Sequence, residues 1–153
     1  MTQFSLASVG SPTAAQLAAF KEFAAVNAGS DALLTEMLTR AMLSVQEWED
    51  KALLTGTATL IVSDREDTAA PVHLYLTPGE IASVQNAAGD SIQYSLVGKE
   101  LIPSYRAEAV KVVYAVSPAA GDVSALMPKV YRYAAALYDG ETSSTLARIL
   151  QER

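Results

Sequence analysis

The chain has 153 residues, half of them hydrophobic, which is enough for one core and predicts a single domain spanning residues 1–153. Its formal net charge of −6 is opposite in sign to the basic footprint of a duplex-binding protein, and the lack of cysteine excludes disulfides and thiolate metal sites. The first residues lack the basic start and apolar run of a signal peptide, and no stretch approaches the roughly 20 apolar residues of a membrane span, so the expectation is a soluble protein made in the cytosol.

Residues 1–10 show no periodicity and read as a flexible N-terminal arm. Ser11-Pro12 then supplies a cap and a first-turn proline, and Leu17, Phe20, Phe23, Ala24 and Ala28 mark one apolar side of a helix running to about residue 26. Asn27-Ala28-Gly29 is turn chemistry. The longest periodic run follows over residues 30–56, where Leu34, Leu38, Ala41, Val45, Trp48 and Ala52 recur at spacings of four and three. Leu33, Met37 and Met42 widen that stripe, Ser30 or Asp31 caps its start, and Gly56 marks its end. Residues 11–56 are therefore expected to form a helical hairpin with Trp48 anchored in the core.

After Gly56 the period becomes alternating. Strands are expected at residues 57–62, at Val72, Leu74 and Leu76, and at residues 81–85, 91–97 and 109–116, with turns at Ala87-Ala88-Gly89-Asp90 and Val97-Gly98-Lys99-Glu100. Residues 57–116 thus read as a small, mostly antiparallel β-sheet insertion. Ser117-Pro118 breaks it, and residues 124–140 form a third helix, with Pro128 in its first turn and Asp139-Gly140 as its stop. Residues 141–153 form a flexible C-terminal arm in which a short helix over residues 144–151 presents Leu146, Ile149 and Leu150 as an apolar edge; too short to be stable alone, it needs something to bind. The fold class is α+β: a helical bundle of two N-terminal helices and one C-terminal helix with an inserted sheet.

Chemistry is sparse. His73 is the only histidine, which rules out a multi-histidine metal site in one chain and favours a surface or sheet-packing role over catalysis. Asp64, Glu66 and Asp67 lack the glycine and distal glutamate of a calcium loop and read as a solvated hairpin tip. No glycine-rich phosphate loop is present. Tyr131, Tyr133 and Tyr138, with Arg132 among them, sit at helical spacing and read as core and interface residues before base-stacking ones. No catalytic, cofactor-binding or metal-ligating residue is assigned, and no cofactor is expected. The alternatives are a small cytosolic enzyme doing acid-base work with carboxylates such as Glu47, Asp50 and Asp64, or a small-ligand binding module with its ligand in the sheet.

From about Pro12 to Glu141 the order of elements resembles the head-tail connector (head-completion adaptor) proteins of long-tailed double-stranded DNA phages. The matching features are the N-terminal helix, the long helix DALLTEMLTRAMLSVQEWEDKALL, a variable β insertion, the strand Val110-Lys111-Val112-Val113-Tyr114, and a proline-bearing helix with Pro128 and Tyr138 in the family's places. The sequence departs from the family at Ala115-Val116-Ser117 and at Asp139-Gly140-Glu141. The resemblance implies a non-enzymatic virion subunit of the neck between capsid and tail, made in the host cytoplasm. It further implies a ring of about twelve copies closed by head-to-tail contacts. Such a ring binds the portal protein above and a downstream neck, stopper or tail-completion protein below, and passes genomic DNA through an acidic lumen without specific binding. Because a terminal segment of these proteins reaches toward the portal, the resemblance assigns portal contact to Leu146, Arg148, Ile149, Leu150 and Arg153.

Overall fold

A computed structural model describes residues 1–25 and 30–152, so the expected turn at residues 27–29, the end of the first helix at residue 26 and Arg153 lie outside the described residues. Its elements divide into two compact units: strands from Met1–Val9 and Thr55–Ser117, and helices from Gly10–Leu54 and Pro118–Arg153.

In the helical unit, α1 spans Ala14–Phe23, α2 Asp31–Glu49, α3 Ala120–Tyr138 and α4 Ser143–Gln151. The first helix starts two residues later than Ser11-Pro12 suggested. Thr13 and Gln16 form a reciprocal capping box: the Thr13 hydroxyl accepts from Gln16 N at 3.1 Å and Gln16 Oε1 accepts from Thr13 N at 2.9 Å. That pair satisfies two free donors where Ser11 would satisfy one.

Ser30 caps α2 as expected, its hydroxyl accepting from Leu33 N. The helix ends earlier than expected, at Glu49, with Asp50 in the left-handed conformation (φ 53°), and is about 28 Å long. Gln46 explains the early stop. Its side chain is buried, and Oε1 accepts from Leu53 N at 3.1 Å and from Leu54 N at 3.3 Å. The amide thus folds residues 51–54 back on the last helical turn and places Leu53 and Leu54 in the core beside Val45. Gly56 is no helix stop. It opens a strand, and a Cβ there would meet Leu6 Cδ1 at 2.9 Å.

The core of this unit gathers Phe20 from α1, Leu34, Leu38, Ala41, Met42 and Val45 from α2, and Met127, Val130 and Ala134 from α3. Trp48 is absent from it and is 55% exposed, contrary to the sequence expectation. At 100° per residue, Trp48 lies about 100° from the middle of the arc that Leu34, Leu38, Met42 and Gln46 bury. Glu49 occupies the middle of that arc instead, which its ion pair with Lys129 makes tolerable.

The third helix begins four residues before position 124, so Pro128 falls in its interior and not in its first turn. Pro128 is on the exposed side, and Ser124, whose carbonyl loses its amide partner, is exposed as well. The end of α3 is as expected: Gly140 (φ 70°) donates to Leu137 O and Glu141 N to Ala136 O, the paired bonds of a left-handed helix stop.

The strand unit holds two antiparallel sheets, as the short turns predicted. The larger runs in the order β1 (Thr2–Ala7), β2 (Gly56–Val62), β7 (Val110–Val116), β4 (Pro78–Gln85); the smaller runs β3 (Val72–His73), β6 (Glu100–Pro103), β5 (Tyr94–Val97). Residues 1–10 are therefore no free arm: β1 adds an edge to the larger sheet, with Phe4 opposite Leu60 and Leu6 opposite Ala58, and Phe4 stacks edge-on against Tyr75 at 5.4 Å. The polar residues between Phe4, Leu6 and Val9 hid this alternation, and a strand exposed at nearly every position leaves a weak hydrophobic signal. Val110, Val112, Tyr114 and Val116 are the buried face of the central strand β7. The Tyr114 hydroxyl accepts from Tyr75 N and donates to Tyr75 O, both at 3.0 Å, so a side chain of β7 satisfies both backbone polar groups of Tyr75. Leu76 adopts a left-handed φ of 63° there.

Candidate functional site

Of the residues assigned to partner contact, Leu146, Arg148, Ile149 and Leu150 lie on α4, which packs on α3, and Arg153 is outside the described residues. Thr142 caps it, accepting from Thr145 N. Ile149 is buried at 8% exposure, Leu150 packs against the helical core, Leu146 is half-buried and Arg148 is exposed. The apolar edge thus has an intramolecular cover that the sequence could not show.

A polar clasp holds the far end of this helix. Lys129, with 8% of its side chain exposed, donates to Glu49 Oε1 at 2.6 Å and to Leu150 O at 3.0 Å. The ammonium therefore sits at the C-terminal end of α4, where the last carbonyls favour positive charge. Arg132 Nε lies 3.2 Å from Glu152 Oε2, close enough for charge attraction but outside hydrogen-bond geometry. Nothing in the sequence marked Lys129 as buried.

The carboxylates considered for acid-base work do not converge. Glu47 is exposed beside Trp48, Asp50 is the left-handed cap of α2, and Asp64 is an exposed loop residue with φ 53°. None of the three lines the concavity of the strand unit bounded by Asn86, Ile92, Tyr105, Arg106 and Glu108. Among the described residues no group of three or more His, Cys, Asp or Glu side chains is placed to hold a metal ion, and no helix is long and apolar enough to cross a membrane. His73 lies on an exposed face, with Nδ1 2.9 Å from Glu100 Oε1 and its ring edge-on to Tyr75. Asp64, Glu66 and Asp67 are exposed, while Arg65 between them reaches inward to the carbonyls of Ala107, at 3.0 Å, and Ala70. Tyr131 and Tyr133 pack against the helical core, Tyr131 tilted against Phe23 with ring centroids 6.1 Å apart, and burial pushes the Tyr131 phenol above its ordinary pKa.

What the molecule does expose is apolar side chain. Leu33, Trp48 and Phe23 are open to solvent on the helical unit, and Leu96, Val97, Ile102 and Tyr105 on the strand unit. The sequence reading placed Leu33 and Trp48 on the buried stripe.

No protein-family model matches the sequence, and no curated protein matches it. Solved structures do match. A chain in the neck of an empty gene transfer agent (GTA) particle, computed with C6 symmetry, aligns over 94% of this chain and 93% of its own length at 15% identity, with a TM-score of 0.63. A chain in the virion of a native GTA particle aligns over 86% and 84% at 17% identity (TM-score 0.60). A third, in the neck of a native GTA particle computed with C12 symmetry, aligns over 94% and 92% at 17% identity (TM-score 0.58). This chain has, over nearly its whole length, the fold of proteins in the necks of gene transfer agent particles.

Proposed function

We propose that the chain is a structural, non-enzymatic subunit of a virion neck: a head-tail connector that forms a ring of about twelve copies, binds the portal and extends the DNA channel toward the tail. The observation that carries this reading is the fold likeness to neck chains from reconstructions of six-fold and twelve-fold symmetry, which covers more than nine-tenths of both partners. The order of helices, β insertion and proline-bearing helix, which the sequence shares with phage connectors, supports it independently. Net charge supports it too, since at −6 the chain repels a polyanion sliding past it and does not retain it. Its partners on this reading are the portal, neighbouring copies, a downstream neck, stopper or tail-completion protein, and DNA in transit.

Within this reading α4 is the portal-facing segment. Ile149 is buried and Leu150 packs against the helical core, while Arg148 and the open side of Leu146 are available to a partner. The test is the mass of the protein mixed with portal rings. A complex carrying a fixed multiple of the 16.2 kDa chain is expected, and a mixture in which the chain stays apart from the portal overturns the proposal.

A further inference from the structure

A closed ring repeats one head-to-tail contact, so each subunit must carry two different faces that fit each other and not themselves. Among the described residues each compact unit exposes apolar side chains. On α2, Leu33, Met37, Ser44 and Trp48 recur at spacings of four, seven and four, a line about 22 Å long that flanks the buried arc of the helix, with Met37 and Ser44 half-buried. Leu33 is 45% exposed and Trp48 55%, and Ser44, Glu47, Trp48 and Leu150 line a shallow groove at its end.

The second face is the β5–β6 hairpin. Every residue of β5 is exposed, although two of its four are Leu96 and Val97, and Val97 is 64% exposed beside a turn at Gly98 (φ 61°). β5 is the edge of a three-stranded sheet whose middle strand β6 buries Leu101, and an edge strand that leaves Leu96 and Val97 in water ordinarily marks a contact.

The two faces differ in shape and in charge. The first ends in a groove, and the second sets its most exposed apolar side chain, Val97, next to the turn at Gly98. Beside the Trp48 line α2 carries Glu36 and Glu47 against one Arg40, Asp31 and Glu49 being paired with Lys21 and Lys129, whereas residues 94–106 carry Lys99 and Arg106 against one Glu100. Pairing α2 with a second α2 sets like charges together, while pairing it with the hairpin sets opposite ones together. We infer that in the ring proposed above, on which this inference rests, the β5–β6 turn of one copy seats Leu96 and Val97 in the Trp48 groove of the next. Trp48 is then the aromatic anchor of the subunit interface, a role such residues often fill when fully desolvated.

The chain has no cysteine, so introduced thiols cross-link only where they are placed. In full-length protein mixed with portal rings and mildly oxidised, the double variant S44C/V97C should give a ladder of multimers. Each single variant should give none, and a mixture of the two single variants should stop at dimers. Trp48→Glu and Val97→Glu should each weaken wild-type association tenfold or more while keeping the helical signal and melting curve, since both positions are exposed. A dimer formed by S44C alone overturns the inference in favour of a two-fold α2 contact. Wild-type assembly without a ladder from the double variant overturns it in favour of other surfaces. If wild-type copies do not associate at all, the ring reading fails and this contact fails with it.

Discussion

Glu49→Leu is expected to destabilise the helical unit far more than Lys129→Met, although each removes one partner of the same ion pair. The two partners stand in different solvent: 8% of the Lys129 side chain is exposed against 27% of the Glu49 side chain. Removing the partner of a buried charge costs on the order of 3 to 5 kcal/mol. The Leu150 carbonyl still accepts from Lys129 in Glu49→Leu, so the lower end, about 3 kcal/mol, is expected there. In Lys129→Met the remaining carboxylate is reached by water and a methionine fills the space of the lysine stem, so the expected loss is about 1 kcal/mol. The double variant should recover to within about 1 kcal/mol of wild type, because an apolar pair of similar volume often replaces a buried ion pair without loss. Urea unfolding of the four proteins, followed by helical ellipticity, measures all three differences and the coupling between them. Amide exchange gives a second readout, since Lys129→Met removes a bond to Leu150 O and should raise exchange in α4 selectively. A larger loss for Lys129→Met than for Glu49→Leu, or strict additivity in the double variant, would refute the clasp.

Trp48→Ala should change stability by less than about 1 kcal/mol, because the side chain is mostly in water; a loss of 3 kcal/mol or more on urea unfolding would return Trp48 to the core. Gln46→Leu leaves two buried amides without an acceptor and should cost about 2 to 4 kcal/mol in the same assay, a neutral result being incompatible with the observed geometry. A chain ending at Ser143 loses the buried Ile149 and the cover that Leu150 gives the helical core, so its melting temperature should fall while circular dichroism still reports a folded chain, and unchanged melting would show that α4 is not docked. Because burial raises the Tyr131 phenol above its ordinary value, its contribution to stability is whole below that value and lost as pH rises through the folded one; Tyr131→Phe should flatten this alkaline decline in pH-dependent melting.

The element types and their order were legible because each rests on a strong local signal: the four-three recurrence from Leu34 to Val45, the alternation from Val110 to Val116, and the Asp139-Gly140 stop. What failed was decided by contacts remote in sequence or by a single side chain. The stop of α2 is set by the Gln46 amide bonding residues 53 and 54, which no cap rule reads. β1 is a strand because β2 offers it an edge, so its pairing information lies some 50 residues away. β6 went unseen because Leu101 and Pro103 follow directly on turn residues and proline argues against a strand. The helical period located Trp48 near the stripe but could not say that Glu49 would take the inner position, since that depends on Lys129 of another helix. For α4 the sequence identified the apolar residues but not their partner: the helix packs on α3, with Leu150 against the helical core.

The central claim, that this chain is built into a virion neck, is tested most directly by imaging particles assembled with a gold-labelled copy in place of the untagged one. The account predicts label at the junction between capsid and tail on intact particles, stoichiometric with the portal ring. Particles that assemble with no label at that junction, while the tagged chain stays folded in the cytosolic fraction, would contradict it.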